Sequence, residues 1–318
     1  MYAKLRIHRF VEGRKWTQDY SVEVQTGMTI LEALIYIKEH QDPTLSFTSS
    51  CRSSICGACG VRVNGNAVLA CETLVSDQMA TYDTNILTIE PLGNFEVIRD
   101  LVVNWDPKYD RMKKIDPAVE PKDEFSPETG CRQSPEDFEK YKKYALCILC
   151  GSCVSECNKN SLNQKDFLDP FAFVKGEKIV SDSRDKSPKE HLQRIVDAGL
   201  WRCFNCEECT AKCPKGLDPA GAIEKLKAAT FKYGLADNVG AKHAKAIYDD
   251  IQESGTLDES KLNIKSEGFL KAGTRAPMGL RLMHVGKLDP TASHPVNPEI
   301  ATIKKIVQLA EKASQEEG

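Results

Sequence analysis

The cysteines constrain this chain more than any other feature of its sequence. It has thirteen of them in 318 residues; twelve fall into three compact groups of four, and Cys131 stands apart. They are too sparse for a small disulfide scaffold, and two cysteines three residues apart would close only a very small loop. A metal centre does need such local grouping, because it must be held from several sides. The pattern therefore predicts three metal centres.

The first group has the spacing of a plant-type [2Fe–2S] ferredoxin. Four residues lie between Cys51 and Cys56, and two lie between Cys56 and Cys59. Cys71 follows from the next predicted strand. The glycines of this loop suit a chain folded over a cluster, since small residues let backbone N–H groups approach its sulfides. A structural zinc site is the alternative, although zinc sites usually combine two C-x2-C pairs.

The second and third groups repeat the cysteine run of bacterial two-cluster ferredoxins. In such a run three cysteines cap one face of a cubane, and the fourth reaches the other cluster. One [4Fe–4S] cluster is therefore expected on Cys147, Cys150, Cys153 and Cys213. The other is expected on Cys157, Cys203, Cys206 and Cys209. We predict no catalytic residue, and all iron is expected to bind through these cysteines and those of the first group.

The hydrophobic pattern predicts strands and one helix at the N-terminus. Alternation over residues 3–10 and 20–24 indicates a β-hairpin that turns at Gly13. Thr29 and Glu32 form a capping box at the start of a helix. Further short strands are expected around residues 61–63, 68–69 and 86–89. Together these elements predict a small α+β domain.

Four segments follow from this organisation. They are a [2Fe–2S] domain at residues 1–104, a connector at 105–140, an α-helical domain with two [4Fe–4S] clusters at 141–233 and a C-terminal extension at 234–318. Helices are expected near residues 137–146, 187–200 and 219–233. The extension is polar with little periodicity up to residue 296, and a last helix is expected to start at Asn297-Pro298.

Charge and hydropathy exclude several functions. The net charge is −3, so no global field favours a nucleic acid as partner. No run of about 18 or more apolar residues is present, so no transmembrane helix is expected. The N-terminus lacks the charged and apolar regions of a signal peptide. Any membrane contact is therefore expected to occur through another subunit.

Shorter motifs around the cysteines resemble the iron–sulfur subunit of succinate dehydrogenase and fumarate reductase. Over about residues 1–225 they include Cys51-Arg52, Asn64-Gly65, Val97-Ile98-Arg99-Asp100-Leu101-Val102-Val103, Asp182-Ser183-Arg184-Asp185 and Cys213-Pro214-Lys215-Gly216-Leu217. The resemblance implies the fold class α+β, with a β-grasp, plant-type ferredoxin domain followed by an all-α two-cluster ferredoxin domain. It also implies a non-catalytic electron-transfer subunit between FAD on a flavoprotein partner and a quinone at the membrane.

Three positions depart from the common pattern of that family. Common members have a non-cysteine at position 206 and a [3Fe–4S] last cluster, so Cys206 predicts a second [4Fe–4S] cluster instead. Asn158 follows Cys157 where common members have a proline, and Phe204 stands where many have a histidine near the quinone. In these respects the chain resembles the branch that includes the 8-methylmenaquinol:fumarate reductases, whose third subunit has repeated cysteine-rich motifs.

That branch implies the function and the partners. We expect an iron–sulfur subunit of a fumarate reductase or succinate dehydrogenase complex, passing electrons between a menaquinol- or methylmenaquinol-side subunit and the FAD subunit, with fumarate reduction favoured. The alternative is an electron-transfer subunit of another flavoprotein or of a heterodisulfide-reductase-like complex. Residues 234–318 would dock the third, membrane-contacting subunit, or else form a self-packing helical cap. Membrane attachment is expected to be peripheral, on the cytoplasmic face or, by co-export with the flavoprotein, in the periplasm.

Overall fold

The computed structural model describes residues 1–123, 126–128, 130–163, 165–287 and 295–316. Parts of the predicted connector and of the predicted extension therefore lie outside the described residues. The chain divides into two units, Met1–Tyr233 and Gly234–Gly318. None of the described helices combines the length and the hydropathy needed to cross a lipid bilayer.

A five-stranded mixed sheet begins the first unit. Its strands are β1 Tyr2–Val11, β2 Arg14–Glu23, β3 Gly60–Val63, β4 Asn66–Leu69 and β5 Ile86–Glu90, in the order β2-β1-β5-β3-β4. β1 and β5 are parallel, whereas the other neighbours are antiparallel. The predicted hairpin is confirmed: Glu12 and Gly13 have φ values of 47° and 83°, as a two-residue type I′ turn requires. The expected short strands are present as well.

The helix α1, Ile30–His40, packs on this sheet. Its predicted capping box is confirmed, because Glu32 N–H donates to Thr29 Oγ1 at 3.1 Å and Thr29 N–H donates to the Glu32 carboxylate at 2.8 Å. The buried face of α1 consists of Ile30, Leu31, Ala33, Leu34 and Ile37. These side chains join the inward-facing residues of the strands in one core. The arrangement of sheet and helix confirms the expected β-grasp ferredoxin domain.

Part of the segment predicted as a connector is helical and packed. The helix α2 Val75–Thr81 and a two-stranded ribbon of β6 Glu96–Arg99 and β7 Val102–Asn104 precede this segment. The segment itself begins with the helix α3 Asp106–Lys113. Lys108 of α3 is 2% exposed and lies 3.4 Å from the Asp169 carboxylate. Ile115 is buried too. Sequence reasoning missed this packing because the partners of these residues lie some sixty positions further along the chain.

Short helices dominate the rest of the first unit. They are α4 Pro135–Glu139, α5 Lys142–Ala145, α6 Ser152–Ser155, α7 Asn158–Leu162, α8 Pro170–Val180, α9 Pro188–Asp197, α10 Glu208–Ala211 and α11 Pro219–Lys232, with a 3-10 turn at Leu200–Arg202. The helices expected near residues 187–200 and 219–233 are confirmed. The one expected near residues 137–146 is instead the short pair α4 and α5.

The buried helix α8 escaped prediction. Phe171, Ala172, Phe173 and Val174 form a continuous apolar run, and none is more than 1% exposed. A helix buried over most of its surface has little polar outer face, so the 3.6-residue period of an amphipathic helix is weak. The neighbouring helices α9 and α11 pack against α8 and complete the all-α domain.

The second unit is more helical than its sequence indicates. Its helices are α12 Val239–Ser254, α13 Glu259–Glu267, α14 Phe269–Gly273, α15 Ala276–His284 and α16 Ile300–Glu316. The weak periodicity concealed α12, although Asn238 caps its start by accepting the Ala241 N–H at 2.9 Å. The last helix begins at Ile300 rather than at Asn297, and Asn297 Oδ1 accepts the Glu299 N–H ahead of it.

Candidate iron–sulfur centres

Hydrogen bonds from backbone N–H groups to sulfur shape the loop between Cys51 and Cys56. Three N–H groups donate to Cys51 Sγ at 3.3 Å, namely those of Ser53, Ile55 and Cys56. These bonds lower the pKa of Cys51 to about 6. Because they stabilise the thiolate, the loop is prepared to bind iron before any metal arrives.

The other two cysteines of the first group meet this loop from the sheet. Cys59 precedes β3 and Cys71 follows β4, and Ala70 N–H donates to the Cys59 carbonyl at 3.1 Å. Ser54 N–H donates to Cys71 Sγ at 3.2 Å, which connects the loop with the fourth cysteine. Burial raises the pKa of Cys59 to about 12, so metal binding must displace its proton.

One cavity in the helical domain is lined by cysteines of two different runs. It contains Cys147, Cys150 and Cys153 of the second run together with Cys213 of the third. Burial raises the pKa of Cys153 well above its usual value, and the neighbouring thiols raise it further. The cavity therefore brings together the four residues that the sequence assigns to one [4Fe–4S] cluster.

Cys157, the last cysteine of the second run, lies near thiols of the third run. Burial raises its pKa, and negative charge on Cys203 or Cys206 raises it further. Burial likewise raises the pKa of Cys209 to about 12, with additional contributions from Cys203, Cys157 and Cys206. Cys153 and Cys209 lie in the short helices α6 and α10, which pack on each other. This contact places the two cysteine runs next to each other.

The cysteines fit iron–sulfur clusters in number, grouping and environment. All thirteen are free of disulfides. Backbone N–H groups approach sulfur in the first centre, and Cys150, Cys153 and Cys157 of the second run are buried. Hydrogen bonds to sulfur and burial both tune cluster potentials. Among the residues that the structure describes, no three His, Cys, Asp or Glu side chains converge closely enough to hold a single metal ion. A cluster spaces its ligands more widely, since the four thiolates are distributed over two irons in a [2Fe–2S] cluster and over four irons in a [4Fe–4S] cluster.

Two side chains fasten the second run to the first domain. Arg62 Nε donates to the Glu156 carboxylate at 3.0 Å. Asn94 Nδ2 donates at 2.9 to 3.1 Å to the backbone carbonyls of Val154, Ser155 and Cys157. Sequence reasoning missed Asn94; its one local signal is the turn after β5, where its φ is 63°.

A lysine beside Cys213 reaches the first centre. Lys215 Nζ donates to Ser54 Oγ at 2.9 Å, and the same hydroxyl donates to the Glu72 carboxylate. Ser54 also supplies the N–H that binds Cys71 Sγ. The loop that carries Cys213 is therefore joined to the first centre by a continuous chain of hydrogen bonds, which sequence spacing alone does not reveal.

The three centres differ in their access to solvent. The loops that carry the first and third cysteine groups each expose an apolar side chain: Ile55 is 68% exposed and Phe204 is 55% exposed. Cys150 and Cys153 of the second run are buried. Of the sequence-predicted residues, Cys131 is the one cysteine that the structure leaves outside all three groups, and it is half-buried.

Two family models match the chain over the regions that carry these centres. Residues 4–110 match the model described as a 2Fe-2S iron-sulfur cluster binding domain. Residues 143–217 match the model described as a 4Fe-4S dicluster domain. The two matches account for one [2Fe–2S] cluster and two [4Fe–4S] clusters.

Several characterised proteins are similar over much of the chain. The 8-methylmenaquinol:fumarate reductase iron–sulfur subunit of Wolinella succinogenes is 43% identical over 291 residues, which cover 90% of this chain and 91% of that protein. The fumarate reductase iron–sulfur subunit of Mycobacterium tuberculosis is 39% identical and covers 71% of this chain and 90% of its own. Among solved structures, the Mycobacterium smegmatis Sdh1 complex contains a chain that superposes with a TM-score of 0.66 at 26% identity, covering 73% of this chain and 96% of that one.

Proposed function

The chain belongs to the family of fumarate reductase and succinate dehydrogenase iron–sulfur subunits, and we propose that it connects a methylmenaquinol-side subunit with an FAD-bearing flavoprotein, in the direction of fumarate reduction. As a member of this family it is an electron-transfer subunit and performs no bond chemistry itself. Its clusters supply one-electron transfer when bound. The quinol class comes from the name of the Wolinella relative.

The observation that carries this proposal is the order of exposure along the three centres. The loops that carry the first and third cysteine groups expose Ile55 and Phe204, whereas Cys150, Cys153 and Cys157 of the second run are buried. Such an order suits a chain that meets one redox partner at each end and keeps solvent from the middle. We place the flavoprotein at the first loop and the quinol-side subunit at the third.

We propose that the two cubane sites share their cysteine runs. Cys213 would complete the site of the second run, and Cys157 would complete that of the third. The common cavity around Cys213 and the electrostatic grouping around Cys157 support this exchange. Cys206 would be the fourth iron ligand of the last centre, and its exposed position beside Phe204 suits a site close to a partner.

The C-terminal unit and the cellular location complete the proposal. We propose that residues 234–318 dock the third, cysteine-rich subunit, through which the complex attaches peripherally to the membrane. A helical cap that only packs on itself is the alternative for this segment. The complex would lie either on the cytoplasmic face of the membrane or in the periplasm. A periplasmic location would require that the chain be exported together with the flavoprotein.

Electron paramagnetic resonance of the purified complex tests this function. Spectra recorded as isolated in air and after dithionite should reveal no [3Fe–4S] signal on oxidation, and one [2Fe–2S] and two interacting [4Fe–4S] centres on reduction. The same preparation should oxidise a reduced menaquinone analogue with fumarate. A strong oxidised [3Fe–4S] signal that added iron does not convert would reject the assignment of Cys206, and a complex with no dicarboxylate turnover would reject the proposed partner.

A further inference from the structure

The C-terminal unit exposes an apolar surface on α14 and α15. Phe269 and Leu270, at the start of α14, are 79% and 89% exposed. Exposed apolar side chains continue along α15 and its end, at Met278, Leu280, Met283 and Val285. Single exposed apolar residues are common on soluble proteins, but a group of this size within one short segment indicates an interaction surface.

The same segment is strongly basic. Residues 268–287 contain Lys271, Arg275, Arg281 and Lys287 and no Asp or Glu, which gives +4 in a chain whose net charge is −3. Arg275 is paired with Glu267. Within the part of the chain that the structure describes, no carboxylate pairs with Lys271, Arg281 or Lys287. Residues 268–287 therefore combine basic and apolar side chains, with no acidic residue inside the segment itself.

A groove runs between α13, α14 and α15. It has a volume of about 500 Å³, and its apolar lining includes Ile264, Phe269, Ala272, Met278 and Leu282. Met278, Leu282 and Val285 recur at the i, i+4, i+7 spacing of one helix face. Arg275 and Lys287 also line this groove, together with Glu259 of α13, so cations adjoin its apolar lining.

We propose that α14 and α15 form a surface that binds an anionic phospholipid bilayer directly. Helices with an apolar face, basic neighbours and too little length to span lie in the interfacial plane of a membrane. The charge is what favours lipid over an apolar protein partner, because residues 268–287 contain four cations and no Asp or Glu of their own, which matches a surface of anionic headgroups. This inference goes beyond the electron-transfer function. It assigns α14 and α15 to lipid and leaves the rest of residues 234–318 for the third subunit, and it departs from the expectation that other subunits alone contact the membrane.

Flotation of the cluster-loaded full-length chain with vesicles tests the proposal without any partner subunit. The chain should float with vesicles of phosphatidylglycerol and phosphatidylethanolamine in equal parts and remain behind with phosphatidylcholine vesicles. Binding should weaken as salt is raised, because basic segments are held by a screened attraction. A chain that ignores anionic vesicles at low salt overturns the proposal, and leaves the electron-transfer function untouched.

Substitutions locate the binding surface. The double variant Lys271→Gln with Arg281→Gln should bind anionic vesicles about 30-fold more weakly, from roughly fivefold per cation. Phe269→Asn with Leu270→Gln should also lose binding. Leu309→Gln is the matched control, since Leu309 is an apolar residue of α16 that is 59% exposed. Unchanged cluster spectra show that each variant is folded. The lipid assignment would be overturned if the control lost vesicle binding to the same extent. It would also be overturned, in favour of a protein-docking surface, if the variants kept vesicle binding but no longer co-purified with the third subunit.

Discussion

Gly57 in the first cysteine loop lies directly against Cys150 in the second cysteine run. A Cβ atom on Gly57 would come within 2.8 Å of Cys150 Cα, and the φ of Gly57 is 75°. Only a residue without a side chain fits both the backbone conformation and the space. Since the two loops carry ligands of different proposed clusters, this contact sets how closely the first and second centres approach.

Gly57→Ala should therefore separate these two centres. We expect a loss of stability of about 1–3 kcal/mol from the strained φ and the steric overlap. The magnetic interaction between the reduced [2Fe–2S] cluster and its neighbour should weaken as well. Thermal unfolding under anaerobic conditions and electron paramagnetic resonance measure the two effects. Gly65→Ala is the control, because Gly65 has a φ of 82° but its added Cβ would meet only an Arg62 nitrogen, at 3.9 Å. Equal effects of both substitutions would contradict the role of the contact.

Lys215 should raise the reduction potential of the first centre through Ser54. Its ammonium group stabilises the reduced cluster, which carries more negative charge. Lys215→Met should therefore lower the midpoint potential of the [2Fe–2S] centre by roughly tens of millivolts. Redox titration followed by electron paramagnetic resonance measures this shift. Lys212→Met removes a neighbouring cation that instead donates to Asn66 Oδ1 at 2.6 Å, and should move that midpoint less. Identical shifts in the two variants would show a general loss of charge rather than the specific hydrogen bond.

Cys206 should decide the type of the last cluster. We expect Cys206→Ser to produce an oxidised [3Fe–4S] signal, or to remove the third centre, while the spectra of the other two centres persist. Cys131→Ser is the matched control, since Cys131 lies outside the three groups and should leave all spectra unchanged. If the Cys206 variant keeps the full wild-type spectrum, another residue supplies the fourth iron ligand.

The buried Arg9 should matter far more for stability than the exposed Arg6 on the same strand. Arg9 is 3% exposed and donates to Asp100 at 2.9 Å and to Asp42 at 2.6 Å. Arg9→Met would leave the Asp100 carboxylate buried without a cation, at a cost of about 3–5 kcal/mol in the free energy of unfolding. Arg6→Met breaks only the surface pair with Asp19 and should cost about 0–1 kcal/mol. Chemical denaturation distinguishes them, and a similar cost for both would refute the argument.

Glu177 should make stability depend on pH. Its side chain is buried in α8, and desolvation raises its pKa from 4.5 to about 7. The folded state then binds a proton that the unfolded state has already released, so stability falls as pH rises from about 4.5 to about 7, by at most about 3 kcal/mol. Glu177→Gln should remove this dependence. The anaerobic unfolding midpoints of the two proteins should therefore differ more at about pH 8 than at about pH 5.

A surface glutamate provides the comparison for Glu177. Glu139 pairs with Lys142 and its side chain is 62% exposed. Glu139→Gln should shift the unfolding midpoint by a similar small amount at both pH values. If Glu177→Gln behaves in the same way, the carboxylate of Glu177 is not shielded from water as its burial indicates.

Local features of the fold could be predicted because each is encoded within a few neighbouring residues. The capping box of Thr29 and Glu32 and the turn at Gly13 depend on residues a few positions apart, and α9 and α11 were predicted from a local hydrophobic period. The three cysteine groups are local in the same sense, since a loop must fold around a cluster with adjacent ligands. Family resemblance then extended these local motifs to the two ferredoxin domains.

The sequence by itself determined the number of centres, the grouping of their cysteines and the type of the N-terminal domain. Only the tertiary structure decided that α8 is buried, that Asn94 binds the end of the second run, and that Lys215 reaches Ser54 across 161 positions. The physical reason is that burial and long-range hydrogen bonds depend on which distant surfaces meet in space. Local periodicity contains no information about such tertiary contacts. In α8, burial itself weakens the amphipathic period that would have revealed the helix.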